Sequence, residues 1–542
     1  MVGERLTYEI IRHSLTYISE EMGVALRKSA YSPNIRERSD HSCAILDGLG
    51  RTVGQAEHIP VHIGSLPIGV VNTLNFLREM GVEVSEGDMY LVNDPYIAGT
   101  HLNDVTLIRP VFHAGRLAAF LANKAHHVDV GGLSSASISY DAAELFQEGV
   151  VLPPIRLMER NVLRMDLARM VAANSRMPET VMGDLRAQVA ANLLGERRLL
   201  ELLSKVSIRT FDDAIEYILE TTHALALSEY RRMPHGVWRA VDYLELDDEL
   251  LRIEAAVMMG DDGVEVDFTG SSGQVEKPLN AVLGVTNAAV MYAVKTLINP
   301  ETSLNDGFMR TVRVRAPSRT IVNPVRPAPV AAGNLETSQR IVDVIYLALS
   351  NAIPEKVPAA SHGSMNNLMM GGVDPKTGMR WAFYETIGGG SGGRYGMDGV
   401  DGVHTNMTNT LNTPIEVMEH YYPLIFESYR LRDGSGGLGR WRGGMGLERS
   451  FTARARIEVT IIGERNRIPP WGLLGGEPGQ PSQYLVRRKD GQIENLKSKD
   501  KTTLNPGDTL IIRTAGGGGY GKPSTLSIAS TNKNTGPGSS AW

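Results

Sequence analysis

The chain has 542 residues, too many for one hydrophobic core, so about three or four domains are expected. Its 55 Lys and Arg against 61 Asp and Glu leave a net charge of −6 with no basic arm, which argues against nucleic acid as a partner. A single cysteine, Cys43, excludes an intramolecular disulfide framework, a thiolate metal site and a redox pair. With no uninterrupted apolar run of about 18 residues and a charge-broken N-terminus, it sets the expectation of a cytoplasmic protein with neither signal peptide nor membrane contact.

The composition and periodicity point to an α+β, multidomain chain with several mixed sheets and a helical insertion or arm. Residues 1–139 read as an N-terminal α+β metal-binding region. Within it, residues 4–28 carry Ile10, Ile11, Leu15, Ile18, Met22 and Leu26 at the spacing of an amphipathic helix, and SCAILD (42–47) alternates like a strand before the turn GLGR. VTLIRPV (105–111) and LAAFL (117–121) read as two strands joined by a turn at His113, Ala114 and Gly115. Residues 140–236 change to long Ala, Leu, Arg and Glu-rich helical stretches, the expected arm. Residues 237–360 form a middle α+β domain, with short alternating strands over 237–268 and a helix over 276–299. Residues 361–523 form a Gly-rich and then β-rich C-terminal region. The segment 524–542 is small, polar and without period, and its closing SSAW resembles a tag remnant, so it is expected to be disordered or tag-derived.

The densest chemistry lies at 100–132. His101 and Asp104 stand three apart, and the doublet His126, His127 follows one strand pair later, so a hairpin folds the doublet back beside His101. Two imidazoles and a carboxylate suit a divalent ion such as manganese, iron or zinc, and three protein ligands leave positions open for water or substrate. A lone histidine is more often a hydrogen-bonded core or surface residue, but here seven of the 13 histidines fall between His41 and His127, beside Asp40, Asp94 and Asp129. Spacing alone does not say which of the doublet binds. His58 and His62 lie four apart with Pro60 between them; Pro60 is expected to interrupt any helix, leaving the two on a loop near the cluster.

Several patterns imitate nucleotide sites without meeting their requirements. Gly388, Gly390 and Gly393 match G-x-G-x-x-G after a strand-like WAFYETI, but no helix pattern follows to hold a pyrophosphate. GGGGYGK (516–522) opens like a phosphate loop, yet Pro523 stands where a Ser or Thr should meet magnesium. A nucleotide, if the system uses one, is expected on another polypeptide. Cys43 reads as a small buried hydrophobe. Ser361, His362 and Ser364 lack a nucleophile elbow, so packing or substrate contact is the expectation. Asn366, Asn367, His404, Asn406, Asn409 and Asn412 crowd glycine-rich turns, where turn geometry and substrate binding are equally reasonable roles.

The runs YSPNIRERSDHSCAILD (31–47), GDMYLVNDPYIAGTHLNDVTLIRPVF (87–112), NKAHHVDVGG (123–132), NLETSQR (334–340), SHGSMNN (361–367) and GGGSGGRYGMDGVDGVHTNMTNTLNTPIEVMEHYYPL (388–424) resemble the hydantoinase B family. That family holds B-type subunits of ATP-dependent hydantoinases and caprolactamase, the matching half of 5-oxoprolinase, and related subunits of acetone and acetophenone carboxylases. The resemblance runs from about residue 4 to 521. It implies a metal, manganese foremost with zinc or iron as alternatives, on His101, Asp104 and His126, which selects the first histidine of the doublet. Asp40, in R-E-R-S-D-H-S, is implied as a further ligand or base; His127, His58 and His62 stand as additional candidate metal or substrate contacts on their residue type and position alone. It also implies an A-type partner that binds ATP and magnesium, in a heterotetramer of two A and two B chains.

The activity so implied is metal-dependent, ATP-coupled hydrolysis of a cyclic amide: a hydantoin, a lactam or 5-oxoproline. A ring amide carbonyl is resonance stabilised, so phosphorylation of its oxygen by the partner would create a better electrophile for water. Asp129 and Asp40 are the expected proton acceptors. The same parts could instead serve an ATP-dependent ketone carboxylase, or a non-catalytic assembly subunit with a structural metal site.

Overall fold

A computed structural model describes residues 2–56, 58–298 and 300–523, and the polar tail at 524–542 lies outside them. Among the described residues the strands form four sheets. The first has seven strands: β1 (His41–Asp47), β2 (Thr52–Ala56), β3 (Met89–Val92), β4 (Asp104–His113), β5 (Arg116–His126), β6 (Ile155–Glu159) and β7 (Val162–Leu163). Their order is β2-β1-β5-β4-β3-β6-β7, and each neighbouring pair is antiparallel.

Both faces of this sheet are covered, which is why β1 is buried along its whole length. Cys43 and Ile45 face a cluster with Ile11, Leu15, Ile18 and Met22 of the helix Val2–Ser29. Ala44 and Leu46 face the opposite way, onto Leu66 and Val70 of the helix Pro60–Glu79. Period-two alternation thus serves two cores at once. Ile10, expected on the buried stripe of the first helix, is 55% exposed, because the stripe follows Ile11, Leu15, Ile18, Met22 and Leu26.

Two expectations are corrected here. Pro60 does not interrupt a helix; it opens one, at the first helical position, where its missing N–H costs nothing. Nor is 140–236 an arm. Strands β6 and β7 complete the first sheet, and Leu199, Leu203, Phe211 and Ile218 of the helices Pro178–Leu203 and Ile208–Tyr230 pack with Ile11 and Leu15. Their apolar stripes need a partner surface, and the sheet with its first helix supplies it.

The second sheet orders Val312–Arg315, Gly263–Asp267, Glu249–Gly260 and Gly236–Leu246; its first pair is parallel, so the sheet is mixed. The strands expected to be short run to 11 and 12 residues. Helix Leu283–Ile298 occupies the later part of the segment 276–299 and packs with Ser338–Leu349 in the largest core. Two antiparallel C-terminal sheets, of four and five strands, enclose a second core around Phe383, Phe451, Val459 and Ile512.

The glycine runs are a packing device. GGGGYGK lies against neighbouring backbone so closely that a Cβ on Gly517 would sit 1.9 Å from the Ser391 carbonyl oxygen. No helix follows Gly393 before Ile415, in agreement with the rejected dinucleotide motif, and the chain beyond Pro523, after GGGGYGK, lies outside the described residues. Among the described residues no helix is long and apolar enough to cross a membrane.

Candidate metal centre

The site is built at the open end of the β4–β5 hairpin. The tight turn at Ala114 and Gly115, both with positive φ, fixes a register in which Asp104 is the cross-strand partner of His126. His101 enters from the segment after the short helix Pro95–Ala98, whose end is capped by Gly99 at φ 84°. That segment is held from below by Lys124, whose buried ammonium donates to the Ala98 carbonyl and the Thr100 hydroxyl at 2.9 and 3.0 Å. Burial pushes the Lys124 ammonium down to about 8.

His101, Asp104 and His126 are all buried, and one donor atom from each lies within 4.8 Å of the others. Asp104 Oδ1 is 3.2 Å from His101 Nε2 and 3.4 Å from His126 Nδ1, and the two nitrogens are 3.2 Å apart. His62, from the first turn of its helix, brings Nε2 to 3.4 Å from Asp104 Oδ2. Asp40, just before β1, places Oδ2 3.9 Å from His126 Nδ1 and 3.7 Å from the buried Arg38 guanidinium.

This set fits a divalent ion on three grounds. Donor atoms held about 2.1 Å from one ion lie about 3.0 to 3.4 Å apart, the spacing found between these three residues. Both Asp104 oxygens are buried without a well-formed hydrogen bond and are faced by imidazoles, a costly arrangement for a carboxylate that a bound cation would relieve. The far nitrogen of His101, Nδ1, lies 3.2 Å from the Ala331 carbonyl; donating there leaves the Nε2 lone pair facing Asp104. Electrostatics run the same way. Burial opposes the charge on Asp104, but the facing imidazoles hold its carboxyl well below the ordinary range. Burial would lower His101, yet Asp104 raises it; at His126 burial wins and the imidazole is pushed down.

The doublet is divided by strand geometry. His126 faces the cluster and stacks on Tyr384 at 4.7 Å, whereas the next residue, His127, turns to the other face and bonds Gln188 Oε1 at 2.9 Å. His58 is held by Glu20 at 3.1 Å and is not part of the cavity lining. Asp129 does not line the cavity either. Its carboxylate accepts from the backbone N–H groups of Gly131, Ala136 and Arg176, from Ser175 Oγ and from the Arg176 guanidinium, which corrects its expected role as proton acceptor. It anchors the loop after β5.

Residues missed by sequence reasoning come from the C-terminal region. Tyr384, Thr386, Met407, Thr408 and Thr410 join His62, His101, Asp104, His126 and Asp40 around a cavity of about 20 Å³, room for an ion or a water and not for a ring. Arg38 ties the two regions together, donating to the Tyr384 carbonyl at 3.1 Å and to Thr386 Oγ1 at 3.1 Å. Arg38 stands in the R-E-R-S-D-H-S run, but its partners lie some 346 residues away and share no local pattern with it. Of the asparagines, Asn366 and Asn406 sit at φ 47° and 54°, the turn role, while Asn406 and Asn409 also line a separate cavity.

The family model described as Hydantoinase B/oxoprolinase matches residues 4–523. An uncharacterized protein of Methanocaldococcus jannaschii is 48% identical over 520 residues, 96% of this chain and 91% of that one. The 5-oxoprolinase 1 of Arabidopsis thaliana is 33% identical over 548 residues, 96% of this chain, which spans 42% of the length of that larger protein. The crystal structure of ATP-dependent caprolactamase from Pseudomonas jessenii superposes with a TM-score of 0.90 at 28% identity, covering 98% of this chain and 94% of that one.

Proposed function

This chain belongs to the Hydantoinase B/oxoprolinase family, and from that premise we propose that it carries the hydrolytic site of an ATP-coupled enzyme opening a cyclic amide. The observation that carries the reading is the Asp104 carboxylate, buried without a formed hydrogen bond and faced by His62, His101 and His126. The names of the similar proteins, a 5-oxoprolinase and an ATP-dependent caprolactamase, support a ring amide as substrate class. The described glycine runs are packed against backbone and leave no cradle for a triphosphate, which supports nucleotide binding by an A-type partner chain.

His101, Asp104 and His126 would hold a divalent ion, manganese foremost, with His62 beside them. When bound, such an ion supplies Lewis acidity and brings the pKa of water toward neutrality. The chain's own residues do the rest. Asp40, at the cluster's edge with the Arg38 guanidinium 3.7 Å away, would accept a proton from an attacking water. Tyr384 fixes the His126 ring by stacking, with its hydroxyl held by Asn367 Oδ1 at 2.9 Å. The walls of Ile59, Val61, Leu335, Met365 and Met407 keep bulk water out and strengthen every charge inside.

The test is reconstitution with an A-type chain, followed by a panel of lactams, hydantoins and 5-oxoproline, monitoring ring opening and ATP hydrolysis separately. His101→Ala should abolish ring opening while the partner's ATP hydrolysis persists. Stoichiometric consumption of bicarbonate with a ketone would replace this reading by the carboxylase one.

A further inference from the structure

Ser42, His62 and Asp104 form a buried chain of polar contacts that runs from β1 to the metal centre. Ser42 shares the strand parity of Ala44 and Leu46, so its hydroxyl faces the helix Pro60–Glu79, whose first turn carries His62. The Ile59 backbone N–H donates to Ser42 Oγ at 3.3 Å, and Ser42 Oγ lies 3.1 Å from His62 Nδ1. At the other end of the ring, His62 Nε2 lies 3.4 Å from Asp104 Oδ2. All three side chains are 1% exposed, so each must find its partners inside the protein.

Ser, His and Asp in contact suggest a hydrolase triad, but the placement is wrong for one. Ser42 does not line the metal cavity, whereas His62 and Asp104 do, so its oxygen has no path to a substrate carbonyl. Nor does His62 complete the ion's ligand set. Among the described residues the donor atoms lying within 4.8 Å of one another come from His101, Asp104 and His126, without His62. The two Asp104 oxygens are divided instead: Oδ1 faces His101 and His126, and Oδ2 faces His62.

Electrostatics select the His62 tautomer. A proton on Nδ1 would leave the Nε2 lone pair pointing at a buried carboxylate. A proton on Nε2 turns that contact into an N–H facing Oδ2, and Nδ1 is then free to receive the Ser42 hydroxyl hydrogen. The Ile59 N–H occupies a lone pair of the same hydroxyl, which directs its hydrogen away from the backbone and toward the ring.

From this arrangement we infer that Ser42 and His62 are positioning residues: a relay from the Ile59 backbone through hydroxyl and imidazole holds Asp104 Oδ2 and leaves Oδ1 aimed at the ion between His101 and His126. The inference rests on the metal-centre reading and goes beyond it, because it assigns His62 to the carboxylate and not to the ion.

The ring nitrogen resonances of His62 test this in the full-length chain labelled with 15N-histidine, first metal-free and then loaded with diamagnetic zinc; His62→Gln identifies the signals. Nε2 should carry the proton and Nδ1 should act as acceptor in both states. Removing partners that orient metal ligands costs about 10 to 100-fold in metal affinity, so Ser42→Ala should lose about tenfold and His62→Phe, a flat ring with no donor, more than that. His62→Gln, whose amide still offers an N–H, should bind zinc at least about threefold tighter than His62→Phe. The unmodified chain carries the tautomer test even where a buried substitution unfolds the protein. A proton on Nδ1 in either state, a zinc-bound Nε2, or both variants holding zinc as tightly as the parent would overturn the relay. His62→Phe emptying the site as completely as His101→Ala would make His62 a ligand instead. Zinc retained by the parent with Nδ1 protonated sinks the relay and leaves the metal centre; a parent that retains neither zinc nor manganese sinks the metal centre, whatever the tautomer.

Discussion

Asp104 and His126 are cross-strand partners at the mouth of one hairpin, the first residue of β4 opposite the last residue of β5. The pair is therefore set by register, and a one-residue slip would turn one side chain to the other face of the sheet. The same register aligns His41 with Ala125, so the residue before β1, Asp40, falls beside His126 and accepts its backbone N–H at 3.1 Å.

This geometry predicts the consequence of removing the carboxylate. Asp104→Asn keeps the shape and loses the charge that balances the imidazoles. Substitutions one shell out from a metal cost about 10 to 100-fold in affinity, so a direct donor should cost about 100-fold or more. Elemental analysis after dialysis, with a competing chromophoric chelator, should find the parent chain loaded with manganese or zinc and the variant empty. Equal metal content in both would remove the ion from the account.

Lys124 gives a second prediction, about positioning. Its buried ammonium is spent on the Ala98 carbonyl and the Thr100 hydroxyl, immediately before His101. Lys124→Met fits the space but leaves those acceptors unpaired, at a cost of about 1 to 3 kcal/mol in urea unfolding. Because the loop carrying His101 is then unanchored, metal affinity should fall by about tenfold, less than for Asp104→Asn. Loss of stability with metal affinity unchanged would show that Lys124 supports the sheet alone.

Much of the hairpin half of the site is visible in the amino-acid order, because β4, β5 and their turn are adjacent in the chain and both strands are continuous apolar runs. His101, Asp104 and His126 come from one window of 26 residues. The other half was not visible. Arg38, Tyr384, Thr386 and Thr410 meet only when the C-terminal sheet closes on the first, and no periodicity records which distant loop does so. Asp129 misled for a related reason: a carboxylate near histidines looks the same whether it faces an ion or five hydrogen-bond donors. Pro60 misled because proline both ends helices and opens them, and the residues on either side do not tell which.

The glycine seam yields a prediction about folding. A methyl group on Gly517 would lie 1.9 Å from the Ser391 carbonyl oxygen, and backbone on both sides cannot give way as a flexible side chain would. Gly517→Ala should destabilise by about 4 kcal/mol or more, the range reserved for severe packing faults. Gly273→Ala, where the nearest neighbour lies 3.9 Å away, should change stability by about 0.5 kcal/mol or less. Thermal melts of the two variants side by side distinguish a tight seam from an unspecific sensitivity to added methyls.

Glu336 predicts how stability depends on pH. It is fully buried, accepts from the Met365 backbone N–H and from Asn367 through Oε1, and has no partner for Oε2. Burial, reinforced by the charge of Glu464, pushes its carboxyl up to about 8. For an acid whose folded pKa is raised, the folded state holds the proton more tightly, so its contribution is whole below about 4.5 and is lost as pH climbs to about 8. At 1.36 kcal/mol per pKa unit the loss is at most about 5 kcal/mol. Glu336→Gln preserves the acceptor and abolishes the titration. Its melting temperature should match the parent near pH 5 and exceed it above pH 8, and parallel melting curves across that window would mean Glu336 stays ionised in the fold.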